Sequence, residues 1–367
     1  MLFQKNALLI VNENKKQKEK KMDIQEFKVK VVSDFIQKHS TLFSKMNKIS
    51  HFLNDDDVSI YHAEGSIWTH TMMVLSHTET KLGAIAALLH DIGKTVAVTI
   101  DESQKIRFKG HESCSFFMVE EILQNLLPGL NKEETDAVKI AIALHGSFRG
   151  CKNLEEVAQK ICGFTDLQIP LILELLKADS LGRINCNTKP RVLPWEVTVE
   201  QINKARNKKV IKKETELTFL IGLPAAGKST FSWKIEYAGT PVLSRDSLIE
   251  SFLPFGNYNE KWAKIHSNPK ILNKFENEFH ERKKDLKDKS YIVDMTNLSK
   301  KSRASFNSYI NMGKTHKKAV VFSTGIDTIF KRNSERGGKE ISKEVIMKMA
   351  KSFSFPLFDE VDEIEII

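Results

Sequence analysis

The chain has 367 residues, enough for two domains at the usual ~100–200 residues each. Hydrophobic residues make up 41% and charged residues 28%, which excludes a collagen-like or mostly disordered chain. The net charge of +9 includes +4 from the segment Lys15–Lys21, so it permits a polyanionic partner without requiring one.

Residues 1–22 open with MLFQKNALLIV and run into lysines without a small-residue cleavage site, which reads as a flexible basic tail and not a signal peptide. No apolar run approaches the roughly 18–20 residues of a membrane span. Cys114, Cys151, Cys162 and Cys186 form no CxxC pair, and reduced thiols in a cytoplasm are the simplest reading.

Residues 23–185 read as helical almost throughout, with apolar residues three and four apart in KVKVVSDFIQKH, GAIAALLHDIGK and ETDAVKIAIALH. Alternation in TVAVTIDESQKIRFKG predicts one hairpin. His90 and Asp91 close the apolar run AIAALL, where burial is costly unless something offsets their desolvation, and a divalent cation does so. His70, His111, His145 and Asp179 fall at comparable helix ends or faces. A histidine-rich, carboxylate-containing, cysteine-free set suits hydrolytic metals better than a structural zinc site. Each of these alone also reads as a satisfied core group, and His62 and His77 keep that reading. Lys94 could steady a substrate phosphate or be an exposed helix-end lysine.

Residues 186–215 carry Pro190, Pro194 and a lysine-rich stretch, polar and partly helical at best, the expected linker. From residue 216 to 367 short apolar strands (LTFLIG, PVLS, YIVDMT, KAVVFS and EIEII) alternate with helices, which predicts a parallel sheet. The run Gly222-Leu223-Pro224-Ala225-Ala226-Gly227-Lys228-Ser229-Thr230 fits GxxxxGKS between a strand and a helix, the arrangement that cradles the phosphates of a nucleoside triphosphate. Ser229 would hold Mg²⁺ with the nucleotide. Asp246 comes after the second strand, as a base for an attacking hydroxyl or as a helix N-cap. Asp294 closes the third strand, where it could orient Mg²⁺ or a lid arginine. Arg332 and Arg336 stand four apart before Gly337-Gly338, as on a lid that closes over phosphates.

The segments IGLPAAGKST, SRD, VDMTNL and KRNSERGGKEISKEVIMKMAKS resemble the phage-type 5′-OH polynucleotide kinase family. That resemblance implies Lys228 and Ser229 in the phosphate loop, Arg245 beside Asp246 as the general base, Asp294 at the strand end, and Arg332 and Arg336 on the donor phosphates. Ile249 stands where the family has an arginine for the acceptor phosphate. HTMMVL, ALLHDIGKT, FKGHE and KADSLGR together resemble the HD phosphohydrolase superfamily, which implies an all-α domain. It also implies His70, His90, Asp91 and Asp179 as core ligands, Asp91 as the bridge, and His111 and His145 on a second metal. The order of the two halves is similar to the bacterial HD-Pnk type of end-healing enzyme.

That likeness implies a bifunctional RNA-repair enzyme. Its HD half would remove 2′,3′-cyclic phosphate and 2′/3′-phosphate ends with two transition metals such as Mn²⁺, Co²⁺ or Ni²⁺. Its kinase half would move the γ-phosphate of ATP or another NTP, with Mg²⁺, onto 5′-OH RNA or DNA ends. A separate RNA ligase would act downstream, no membrane is involved, and a homodimer is among the open oligomeric states. Two other readings stand beside it: an HD nucleotide phosphohydrolase fused to a small-metabolite kinase, and a non-catalytic RNA-binding HD module on a kinase.

Overall fold

The computed structural model describes residues 23–52, 63–184, 192–207, 213–237 and 239–367. The tail at 1–22, His62, Cys186 and part of the expected linker lie outside the described residues.

The N-terminal half is a pack of helices: Ile24–Lys38, Ser40–Lys48, Ile67–Ser76, Lys81–Leu89, Lys94–Ala97, His111–Leu126, Lys132–Leu144, Leu154–Ile161 and Gln168–Leu181. The helix Lys81–Leu89 is apolar on every side and is buried accordingly, from Gly83 to Leu89. Side-chain caps begin several of them. Thr80 accepts from Gly83 N, and Asn131 with Glu134 makes a reciprocal capping box at Lys132–Leu144. The expected hairpin is present but short. β1 (Thr99–Ile100) pairs with β2 (Ile106–Arg107), while Thr95, Val96 and Ala97, expected in its first strand, belong to the helical turn Lys94–Ala97.

The C-terminal half holds a five-stranded sheet: β3 (Thr215–Ile221), β4 (Val242–Ser244), β5 (Tyr291–Asp294), β6 (Thr315–Val321) and β7 (Glu363–Ile366). The order is β4-β5-β3-β6-β7 and every pairing is parallel. β3 lies at the centre, buried from Leu217 to Ile221, as a strand covered on both faces must be. Loops leaving the carboxyl ends of β3, β4, β5 and β6 therefore gather at one edge, the usual ligand edge of such a sheet.

Two segments differ from the sequence expectation. Residues 192–207, expected as linker, contain a 3-10 turn at Pro194–Glu196 and a helix at Val199–Asn207. Ile202 and Ala205 of that helix are buried, and Arg206 donates to the carbonyls of Cys162 and Phe164. The stretch Phe353–Phe358, between the helix Lys343–Ser352 and β7, packs on the helical half. Phe353 stacks on Phe116 (5.3 Å, 21°), Phe358 meets Phe164 edge-on (4.9 Å, 86°), and Phe358 N donates to Lys160 O at 3.1 Å. Buried apolar residues of both halves form one continuous core. At the seam Lys139, fully buried, pairs with Glu120 and donates to Ser323 O at 2.8 Å, just past β6. No helix among the described residues is long and apolar enough to cross a membrane.

Candidate functional site

In the helical half, five helices deliver side chains to one buried point. His70 comes from mid-helix, His90 and His145 cap the C-termini of Lys81–Leu89 and Lys132–Leu144, His111 begins His111–Leu126, and Asp179 lies near the end of Gln168–Leu181. The turn after His90 runs so close to the next helix that a Cβ on Gly93 would overlap the His111 carbonyl oxygen. Only glycine allows that approach.

The ring orientations share one device. Nδ1 of His90, His111 and His145 donates to the carbonyl three residues back: Ala87 at 2.7 Å, Phe108 at 2.8 Å and Ile142 at 2.7 Å. His70 Nδ1 faces Glu64 Oε1 at 2.7 Å. A carbonyl or carboxylate oxygen can only accept, so each Nδ1 holds a proton and each Nε2 is turned to the centre. There Asp91 divides the set. Its Oδ2 lies 3.1 Å from His90 Nε2 and 3.5 Å from His70 Nε2, and its Oδ1 lies 3.2 Å from His111 Nε2 and 3.7 Å from His145 Nε2. Asp179 Oδ1 adds a carboxylate 3.1 Å from His70 Nε2.

This arrangement fits divalent cations. The Nε2 atoms of His111 and His145 face each other at 3.1 Å, and two lone pairs at that distance repel unless a cation lies between them. Neither buried oxygen of Asp91 receives a well-directed hydrogen bond, although the Lys94 ammonium pairs with Oδ2. Three overlapping sets keep their ligand atoms within 4.8 Å of one another: His70, His90 and Asp179; His90, Asp91 and His145; His111, Glu112 and His145. The charges agree. Burial opposes ionisation of Asp91, but His90 and Lys94 hold its carboxyl well below the usual range. Burial and the neighbouring His90 and His111 press His145 down to about 3, leaving it neutral and able to ligate. His70 goes the other way. Burial lowers it, but Asp179 and Glu64 outweigh that and raise it to about 9, so in the metal-free protein a proton stands where a cation would.

Two residues sit differently from the sequence expectation. Lys94 is buried, its ammonium 2.7 Å from Asp91 Oδ2 and 2.9 Å from His51 Nε2, so it forms part of the cage wall and not an exposed helix end. His77 is exposed at the C-cap of Ile67–Ser76 and is no core group. His51, Glu64 and Glu112 border the site without a sign in the sequence, because none falls on an apolar periodic run. The spacing of Glu112, one residue after His111, is the one available signal.

The second cleft, of about 1020 Å³, opens at the carboxyl edge of the sheet. Residues Gly222–Thr230 wrap from β3 into the helix Lys228–Tyr237. Ala225 (φ 63°) and Gly227 (φ 104°) take left-handed backbone there, which curls the loop's N–H groups inward. A Cβ on Gly222 would press against Phe322. Lys228 Nζ donates to the carbonyls of Gly222 (2.9 Å) and Leu223 (2.7 Å), and Thr324 Oγ1 donates to Ala226 O at 3.1 Å. Burial drives Lys228 down to about 8, against the pull of Asp294 and Asp246. Ser229 and Thr230 line the cleft at the helix start, and Asp294, at the end of β5, accepts from Ser232 Oγ at 2.8 Å.

Asp246 lies in the first turn of Arg245–Phe252, and the N-cap is Ser244, whose Oγ accepts from Ser247 N at 3.2 Å. Asp246 is thus free of the capping role, and its Oδ1 accepts from the Tyr258 hydroxyl at 2.7 Å. Arg245 also lines the cleft, pairs with Glu276 and lies over Phe275 (4.8 Å). Arg332 and Arg336 both line the cleft but share no helix, because Ile326–Ser334 ends before Arg336. The expected hinge at Gly337-Gly338 is clasped: Asn333 Nδ2 donates to Ile341 O at 2.8 Å and its Oδ1 accepts from Ile341 N at 3.2 Å. Ile249 is in the core at 2% exposure, so that position cannot reach an acceptor.

A phosphate cradle, a poised carboxylate and two arginines at the carboxyl edge of a parallel sheet make the C-terminal half a P-loop kinase-like α/β domain. Residues 217–356 match the family model described as an AAA domain. The chain is 30% identical over 146 residues to the L-seryl-tRNA(Sec) kinase of Methanococcus maripaludis, a match covering 38% of this chain and 53% of that protein. It therefore spans about half the length of that curated relative. Among solved structures it is similar to a gluconokinase from Sinorhizobium meliloti 1021, at 14% identity and a TM-score of 0.30, over 42% of this chain and 83% of that one.

Proposed function

We propose that the chain is a bifunctional nucleic-acid end-healing enzyme. The helical half removes 2′,3′-cyclic phosphate and 2′/3′-phosphate ends, and the P-loop half transfers the γ-phosphate of ATP or another NTP, with Mg²⁺, to a 5′-hydroxyl of RNA or DNA. The observation that carries the reading is the cage around Asp91, four Nε2 atoms within 3.7 Å of its two oxygens, in one chain with a triphosphate cradle. His70, His90, Asp91 and Asp179 would hold one cation, and Asp91, His111 and His145, with Glu112, the other. Divalent cations there supply Lewis acidity toward water and the phosphoryl oxygens. In the kinase half, Lys228 neutralises donor phosphate, Arg332 and Arg336 face it across the cleft, and Asp246 takes the proton of the attacking hydroxyl.

The test is mass analysis of a 5′-OH, 2′,3′-cyclic-phosphate oligoribonucleotide incubated with the protein, ATP, Mg²⁺ and Mn²⁺. Asp246→Ala should abolish only the gain of 5′-phosphate, and Asp91→Ala only the loss of the cyclic phosphate. No change at either end in the unmutated protein would sink the proposal. The similarity to the L-seryl-tRNA(Sec) kinase supports a second reading, in which the acceptor is a seryl hydroxyl carried on tRNA. Phosphorylation of seryl-tRNA in preference to the 5′-OH oligonucleotide would favour it.

A further inference from the structure

With Ile249 in the core, something other than an arginine at that position must hold the acceptor, and the helix Tyr258–Ser267 offers a surface beside Asp246. Tyr258, Trp262 and His266 are four residues apart, so they stand on one face at about 6 Å per step. The first of them hydrogen-bonds Asp246 (2.7 Å), and the second lines the same cleft. His266 Nδ1 donates to the Trp262 carbonyl at 2.7 Å, and its ring stacks on the indole with centroids 4.2 Å apart and planes 19° from parallel. Ile265, seven residues after Tyr258 and so beside it on the same helix, is fully buried and holds the helix against the domain. Trp262 nevertheless stays 47% exposed. It is a large ring, backed by imidazole, that lines the cleft. Lys339, paired with Glu250, lies at the same place, its ammonium 4.7 Å from the Tyr258 ring.

The geometry points to Trp262, backed by His266, as the stacking platform for a nucleobase of a single-stranded 5′-OH acceptor, with Tyr258 placing the terminal hydroxyl at Asp246. This rests on the polynucleotide reading of the kinase half and deepens it. Every base has a π-face, so such a platform accepts any sequence while rejecting acceptors that lack a base.

The experiment compares KM for two 5′-OH oligonucleotides, one intact and one abasic at its first two positions, in the unmutated protein, Trp262→Ala and Trp262→Phe. Loss of one stacked base typically corresponds to about five- to hundredfold in affinity. The unmutated protein should therefore show a KM about tenfold or more higher for the abasic substrate. Trp262→Ala should raise KM for the intact substrate by a similar factor and erase the difference between the two, whereas Trp262→Phe should keep most of it. Equal KM values for both substrates in the unmutated protein would overturn the platform while leaving the kinase reading standing, as would discrimination that survives in Trp262→Ala. If Trp262→Ala does not fold, the abasic comparison in the unmutated protein and in Trp262→Phe still decides. Phosphorylation of neither oligonucleotide would remove both.

Discussion

Lys228 is a cation folded back on the loop that is meant to bind anions. Its ammonium sits on the carbonyls of Gly222 and Leu223, and burial holds it at about 8. Between about 8 and the ordinary 10.5, an unfolded chain keeps this proton and the nucleotide-free folded chain releases it. The unfolded state then binds more protons, so this group makes stability rise with pH across that window. Nucleotide binding has the opposite trend. A triphosphate requires the charged amine, so above pH ~8 each pH unit costs up to about 1.4 kcal/mol, or tenfold in affinity. Titration of a fluorescent NTP from pH 7 to 9.5 should show that decline, and Lys228→Met should bind more weakly with a flatter profile. An unchanged slope in Lys228→Met would assign the effect to another group. At this scale the sequence is readable where chemistry conflicts with its surroundings. His90 and Asp91 stand out because they end an apolar helix. Glu64 and His51 give no such sign, since neither lies on a periodic run and only tertiary folding carries them to His70 and Lys94. Asp246 reads as base or cap from the sequence, and the geometry at Ser244 removes the second role.

The helix Lys132–Leu144 serves both halves. Its last turn leads into His145 in the cage around Asp91, and Lys139, lying between, reaches the carbonyl of Ser323 beside the phosphate loop. Lys139 is fully buried while Glu120 keeps a 26% exposed side chain. Replacing the lysine therefore strands a buried carbonyl, whereas replacing the glutamate leaves an end that water can reach. Lys139→Met should cost about 1–3 kcal/mol, and Glu120→Gln less, as measured by the shift of the thermal midpoint. Equal or negligible losses would show that the seam does not depend on this contact. The sequence discloses the helix through its 3.6-residue rhythm. It cannot disclose the lysine's role, because a lone lysine on an apolar face reads as a long stem reaching for solvent. The helix Val199–Asn207 escapes for a related reason: only two of its residues, Ile202 and Ala205, are buried, too few to make a pattern.

Across the whole molecule, the parallel sheet and its strands are legible because short apolar runs alternate with helices. How the halves meet is not, since nothing in SFSFPLF says which core its aromatic rings enter. They enter the helical one, against Phe116, Phe117 and Phe164. With one continuous core, heating should unfold both halves in a single calorimetric transition whose midpoint is the same when tracked by probes of the P-loop cleft and of the Asp91 cage. Two well-separated transitions would mean that the shared core does not bind the halves thermodynamically.

The aromatic strap from Phe353 to Phe358 also limits how this gene could be recombined. A chimera that transplants only residues 217–352 onto a foreign hydrolase would leave behind the rings that fill the helical half, and Ser323 would meet a surface with no ammonium to receive it. A workable graft has to transfer plug and socket together: the strap with its phenylalanine partners, and the β6 exit with Lys139. The exchangeable module is larger than the catalytic half it would be meant to carry.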